Sequence, residues 1–294
     1  MKFLLIMRPQ HWAKNVFVFA ALIFGQKITN PAAVGRAIGA FVCFCLASSA
    51  IYIFNDLIDR STDSLHPEKR RRPIAAGSIS LNSAVLVSAL CAVAAIIASS
   101  ILTRSFSAII LTYIVLMIFY SLFFKRMMIL DCVVISIGFC LRAIAGAVVV
   151  DVFISPWLII CTFALCLFLA FSKRRGEINL LGENSESFRQ TLAGYTAEPL
   201  SHMLDVTSGL AVVCFLLYAM DERTLRIFGT NNLVYTTPLV LYCIFRFSLL
   251  IQQGRYSDPL RLMYRDLPFQ AGLVLWVLSC IVIVYADKLG FGGT

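Results

Sequence analysis

The chain has 294 residues, 60% of them hydrophobic and 14% charged, with a formal net charge of +9 and a mean hydropathy of +0.85. Soluble domains carry about 25% charged residues, so the composition excludes an ordinary soluble protein and points to a polytopic membrane protein. The ten cysteines lie almost wholly in apolar runs without a CxxC pair, and His11, His66 and His202 are scattered. That excludes a disulfide framework and a zinc site.

In chain order, the opening MKFLLIMRPQHWAKN carries a proline, a tryptophan and charges where a secretory signal needs an unbroken apolar core, so no cleaved signal is expected. Arg8, Trp12 and Lys14 fall at the membrane interface, Trp12 as a belt residue and Lys14 within reach of a site on that side. A run over 12–28 reads as a span entered obliquely after Arg8-Pro9. A spanning helix needs about 20 mostly apolar residues, and eight further runs qualify: 37–54 (continuing as helix past 60), 81–102, 105–124, 129–150, 153–172, 203–220, 233–251 and 267–286. The expected fold is all-α, nine transmembrane helices in one bundle, because no Pro/Gly/Ser-rich linker divides the chain. Among loop Lys and Arg residues, only Lys27, Arg36, Arg104, Arg223, Arg226 and Lys288 fall on the less basic side, while Arg142 and Arg246 lie within spans. The positive-inside rule then places the N-terminus in the cytoplasm and the C-terminus outside. The basic excess faces anionic lipid, and no nucleic-acid partner is implied.

The stretch NDLIDRSTDSLHPEKRRRPIAAG concentrates the chemistry. On a helix, Asn55, Asp59 and Asp63 stack on one side with Asp56 beside Asp59. The carboxylates are expected to converge at the cytoplasmic end of the second span, where they repel one another and oppose the helix dipole. A divalent cation removes both penalties, and hard oxygen donors of this kind suit Mg²⁺. Asn55, Asp56, Asp59 and Asp63 are therefore the candidate metal ligands. Lys69, Arg70, Arg71 and Arg72 follow at once, between Pro67 and Pro73. Alone they read as a topogenic, lipid-facing cluster; beside a metal site they read as the cations that hold a diphosphate.

Further basic residues open toward the same face. FYSLFFKRMMILD brings Tyr120, Lys125, Arg126 and Asp131 to the cytoplasmic ends of two helices. Arg142 lies well inside a span, which costs at least ~2.5 kcal/mol without a wet cavity or a partner. It either lines an anionic pocket or bonds helix carbonyls. LAFSKRRGEINLLGE brings Lys173, Arg174 and Arg175 out at the cytoplasmic surface, with Glu177 close behind; each also reads as a stop-transfer charge. Together these stretches suggest one polyanion-binding cavity. Asp258 and Asp266 either cap helices or order their loop.

NDLIDRSTD followed by HPEKRRRPIAAG, in nine spans, resembles the UbiA superfamily of intramembrane prenyltransferases. That resemblance implies a single intramembrane transferase domain over residues 1–294, in the cell membrane, with its site facing the cytoplasm. Superfamily members hold a prenyl diphosphate through Mg²⁺ on two aspartate-rich motifs, whereas here SKRRGE stands where the second would fall. MRPQHWAKNVFVF, RPIAAG, LRAIAGA and SKRRGE resemble the decaprenyl-phosphate phosphoribosyltransferase branch. This implies transfer of 5-phosphoribose from phosphoribosyl diphosphate (PRPP) to a polyprenyl phosphate, with release of diphosphate, for arabinan-precursor synthesis in the cell envelope. Asp56, Asp59, Asp63, Lys69 and Arg72 would then serve catalysis. Lys14, Asn55, Arg71, Tyr120, Lys125, Arg142, Lys173 and Arg174 would bind substrate. The alternatives are an aromatic prenyltransferase of the 4-hydroxybenzoate type, which requires a second acidic motif, and a polyprenyl-phosphate carrier, which favours broken helices at the midplane. Chain length of the lipid and oligomeric state, homo-oligomer included, are left open.

Overall fold

A computed structural model describes residues 2–65, 67, 69–181, 195–256 and 258–286; His66 and Lys288 lie outside them. Among the described residues every regular element is helical, and eight helices are long and apolar enough to cross a membrane. They are α3 (Pro31–Ile58), α5 (Leu81–Leu102), α6 (Arg104–Leu122), α7 (Leu130–Val150), α8 (Pro156–Leu181), α9 (Ala197–Met220), α11 (Thr237–Gln252, entered through a 3₁₀ turn, Asn232–Thr236) and α13 (Leu267–Tyr285). Shorter helices are α1 (Lys2–Ile6), α2 (Ala20–Phe24), α4 (Arg60–Leu65), α10 (Glu222–Phe228) and α12 (Pro259–Arg265). The chain is a multi-pass, all-α membrane protein.

Local chemistry sets many boundaries. Asn30 caps α3 by accepting from Ala33 N at 3.1 Å, with Pro31 in the first turn. A proline there loses nothing, since that N–H has no intrahelical acceptor. Ser80 caps α5. Thr103 ends α5 and caps α6, accepting from Phe106 N at 3.1 Å, so a single residue turns the chain.

The chain forms two compact units, residues 1–23 with 27–153, and residues 24–26 with 154–294. In the first, α3 is the central helix. Its buried face is mostly small (Ala37, Ala40, Ala47, Ser48, Ser49, Ala50), which lets helix backbones approach where lipid gives no hydrophobic drive. Phe44, Ile51, Phe106, Ile110, Tyr113, Met117 and Val134 fill the remaining space.

The segment expected as the first span differs from a regular helix. Arg8 has a left-handed backbone (φ 54, ψ 62), and Pro9–Phe19 is a 3₁₀ helix that passes into α2. With three residues per turn, Trp12, Asn15 and Val18 fall on one face. Trp12 Nε1 donates to Ser49 Oγ at 3.0 Å, and Asn15 Nδ2 to Ser48 Oγ at 3.3 Å. Val18 O lies where a Cβ on Gly146 of α7 would stand only 2.0 Å away. Only glycine permits that approach.

The second unit contains α8 to α13, with a core that includes Tyr218, Phe228, Leu233, Cys280 and Tyr285. Asp258 accepts from Leu260 N at 2.9 Å and Asp266 from Phe269 N at 2.8 Å, so both cap helices.

Candidate functional site

The acid motif occupies the end of α3 and the start of α4. Helical hydrogen bonds run on through the junction, from Asp59 N to Asn55 O (2.9 Å) and from Asp63 N to Asp59 O (2.8 Å). Asn55, Asp59 and Asp63 therefore keep the one-turn stagger that their spacing predicts. Asp56 and Asp63 are 3% and 4% exposed.

The loop after α4 folds back onto this end. Ile74 packs with Ile6, Ile53, Ile79 and Ala84. Arg72 N and Ala76 N continue tight turns to Lys69 O and Arg72 O, and Gly77 takes the left-handed conformation (φ 69) that ends them. Anchored this way, Arg72 Nη1 donates to Asp56 Oδ1 at 3.0 Å and to Asp63 Oδ2 at 2.6 Å. Burial pushes the Asp63 carboxyl above the ordinary range, and Arg72 and Lys69 oppose that shift. Arg70 and Arg71 point to the exterior.

Two more cations reach the acids. Arg8 Nη2 pairs with Asp56 Oδ1 and Lys125 Nζ with Asp59 Oδ1. Lys125 also lies 3.4 Å from Asn55 Oδ1, and Asn55 Nδ2 donates to Asp59 Oδ2 at 2.9 Å. The structure thus brings together Asn55, Asp56, Asp59, Asp63, Lys69, Arg72 and Lys125. It adds Arg8, which the sequence pattern placed at the interface without a partner. The available signal was its position in MRPQHW, just before a proline.

The acids differ from expectation in one respect. Among the described residues no three His, Cys, Asp or Glu side chains gather closely, although Mg²⁺ usually takes only one or two carboxylates. Carboxylates held together unaided repel, and here Arg8, Lys125 and an Arg72 shared by Asp56 and Asp63 compensate them. In kind the donor set fits a divalent ion, since Asn55, Asp56, Asp59 and Asp63 offer only hard oxygens.

Arg142 takes the second of its two predicted roles. It is 4% exposed, and its guanidinium donates to Gly138 O (2.7 Å), Asn15 Oδ1 (2.8 Å) and Tyr113 Oη (2.8 Å). It also lies over the rings of Tyr113, Phe139 and Phe44. Tyr120 packs on the same apolar cluster, and Lys14 is half-buried on the 3₁₀ segment. In the second unit, Arg174 is 1% exposed and donates to Glu177 Oε2 at 2.7 Å, with Lys173 half-buried beside it. Arg175 orients Asn179, whose Nδ2 donates to Ile251 O at 3.0 Å. Arg246 forks onto Asp266 at 2.6 and 2.9 Å, which holds that carboxyl below the ordinary range.

Comparison with known proteins places this arrangement. The chain is 31% identical over 288 residues to the decaprenyl-phosphate phosphoribosyltransferase of Mycolicibacterium smegmatis, covering 95% of this chain and 91% of that one. It is 31% identical over 290 residues to the enzyme of that name from Corynebacterium glutamicum, covering 95% and 85%. Its fold is similar to that of a UbiA homolog from Archaeoglobus fulgidus, solved bound to GPP and Mg²⁺, with a TM-score of 0.72, 19% identity, and coverage of 97% of this chain and 99% of that one. Residues 15–274, which include the whole acid motif and both cation-bearing turns after it, match the sequence model of the UbiA prenyltransferase family, and the chain belongs to that family of membrane transferases.

Proposed function

We propose that this enzyme transfers 5-phosphoribose from PRPP to a polyprenyl phosphate, with Mg²⁺, as a step toward arabinan precursors of the cell envelope. The observation that carries this reading is the end-to-end similarity to decaprenyl-phosphate phosphoribosyltransferases, joined to an asymmetry of charge. The first unit has an acid motif, whereas the corresponding stretch of the second, SKRRGE, has the buried Arg174 paired with Glu177. A prenyl diphosphate donor would call for acids in both places, so the aromatic prenyltransferase reading loses its support.

Asp56, Asp59, Asp63 and Asn55 would hold the divalent ion. When bound, it supplies positive charge to the diphosphate oxygens of the donor. Arg72 and Lys69 neutralise the charge that grows on the leaving diphosphate. An oxygen of the lipid phosphate attacks the anomeric carbon, a new C–O bond forms, and the bond from that carbon to the diphosphate oxygen breaks. No general base is needed, because a phosphate monoester is already an anionic nucleophile. Lys125 serves the phosphate groups at the acid motif, and Lys173 and Arg174 are candidates for substrate binding. Lys14, Arg71 and Tyr120 remain candidates for substrate contact at the rim, while Arg142 acts through Asn15 and Tyr113.

The nine-span topology, with the N-terminus and the site on the cytoplasmic side of the cell membrane, belongs to this proposal, as does a single domain over 1–294. Eleven 3₁₀ residues and five α-helical ones extend together about 30 Å, enough to cross the hydrocarbon core. Purified protein given PRPP, polyprenyl phosphate and Mg²⁺ is expected to release diphosphate, and Asp56→Ala to abolish it. No release, or full release by the variant, refutes the reading.

A further inference from the structure

Each acid of the site already has a cation in ion-pair contact, and Lys69 adds to the positive field at Asp63. Asp56, Asp59 and Asp63 face Arg8, Arg72 and Lys125. Two guanidinium groups share a single oxygen, Asp56 Oδ1. A divalent ion arriving alone would add positive charge to a largely buried cluster whose carboxylates are already compensated. A diphosphate arriving alone would meet three carboxylates.

Arg8 adds an independent observation. Its left-handed backbone is unfavourable for a residue with a Cβ, and such outliers persist only where surrounding contacts determine them. Those contacts are present: Met7 O accepts from Ser49 Oγ at 2.9 Å, that hydroxyl accepts from Trp12 Nε1, and the Arg8 guanidinium lies 5.6 Å from the Tyr52 ring centre. The conformation directs the side chain to Asp56.

We propose that Arg8, together with Arg72 and Lys125, competes with the divalent cation for the acid motif and changes partner when the donor binds, passing from carboxylate to phosphate oxygens. Each cation then exchanges charge-assisted hydrogen bonds to carboxylate for others of the same kind to phosphate. Metal and diphosphate consequently enter as a coupled pair, each improving the affinity for the other by the same factor. This inference rests on the reading of the site as one for a metal and a diphosphate, and it gives Arg8 a positioning and charge-balancing role.

The test is equilibrium Mn²⁺ binding to the full chain in nanodiscs, read by loss of the free-ion EPR signal, first without any phosphate ligand. Arg8→Gln and Lys125→Gln are each expected to bind Mn²⁺ about tenfold more tightly than wild type, whereas Arg8→Lys, which keeps the charge, stays within about twofold of it. A parallel thermal melt confirms that each variant is folded, and Lys125→Gln carries the test if Arg8→Gln is not. In a second arm, retention of radiolabelled PRPP at saturating Mn²⁺ is expected to weaken in both glutamine variants. Unchanged or weaker metal binding in a folded glutamine variant overturns the proposal, as does tightening in Arg8→Lys equal to that in Arg8→Gln. Tighter Mn²⁺ binding with no PRPP retained even by wild type supports the competition and overturns the choice of donor instead.

Discussion

Arg72 joins two buried carboxylates, and the cost of removing it is measurable. In Arg72→Gln, Asp56 keeps Arg8, but Asp63 loses the charge-assisted hydrogen bond from the Arg72 guanidinium. Such bonds contribute about 1.5–3 kcal/mol, and breaking a fully buried pair costs about 3–5 kcal/mol. The Arg72 side chain is 26% exposed, so a loss near ~3 kcal/mol is expected. Asp63→Asn alone should cost ~1 kcal/mol, because Arg72 retains Asp56 and an amide oxygen can still accept. The double variant should then recover ~1.5–3 kcal/mol of the summed losses, as expected for directly coupled groups. Unfolding by increasing SDS mole fraction at pH 8 gives the four free energies. Losses that add to within ~0.5 kcal/mol would refute the bridge as the element that ties the loop to the acid motif. The pH dependence offers an internal check. Burial raises the folded pKa of Asp63 above its ordinary 3.8, so the native state holds that proton more tightly than the unfolded chain does. The stability this brings is complete below 3.8 and is lost as pH rises through the raised value. Asp63→Asn should remove that slope, and Arg72→Gln should carry it to higher pH.

Other substitutions test the frame that holds the site. Gly146→Ala drives a Cβ to 2.0 Å from Val18 O, so it should lower stability by at least ~1–3 kcal/mol, whereas Gly35→Ala, with open space around it, should raise stability by ~0.5–1 kcal/mol; thermal melts in one detergent compare them. Arg142→Gln strips donors from Asn15 and Tyr113, and a melting loss equivalent to ~1–3 kcal/mol is expected for each polar atom left unpaired. Asp266 is held below the ordinary carboxylate range by Arg246. Its contribution is therefore present above 3.8 and lost as pH falls through the lowered value. Asp266→Asn should melt below wild type at neutral pH, with the gap closing in acid.

The spans were legible in sequence because apolar length alone specifies them: α5 and α7 match their predicted runs to within a residue. The acid motif was legible for a related reason, since the helical ladder continues through Asp59 and preserves the spacing. The partners of the acids were not. Lys125 and Arg8 meet Asp59 and Asp56 across 66 and 48 residues of chain, and nothing in local pattern distinguishes a cation held at a buried carboxylate from one that faces lipid headgroups. Arg142 was undecided for the same reason, because its alternatives share a sequence and differ only in whether Asn15 and Tyr113 are near.

The N-terminal segment shows how these separate facts belong together. Read with a period of 3.6, residues 12–28 make an ordinary apolar helix, and Asn15 is a blemish on it. With the 3₁₀ period of three, Trp12, Asn15 and Val18 form one docking face, on Ser49, on Ser48 and against Gly146. Asn15 also accepts from Arg142, so the charge buried in α7 fixes the rotation of the segment about its own axis. One turn before Trp12 the same segment bends through Pro9 and presents Arg8 to Asp56. An arginine that touches neither acid nor loop thus helps to set where a cation stands in the site. The irregular 3₁₀ stretch, poor as a spanning helix, has a physical reason to persist: a regular α-helix would carry Asn15 away from Ser48 and Arg142 and leave a buried guanidinium short of an acceptor.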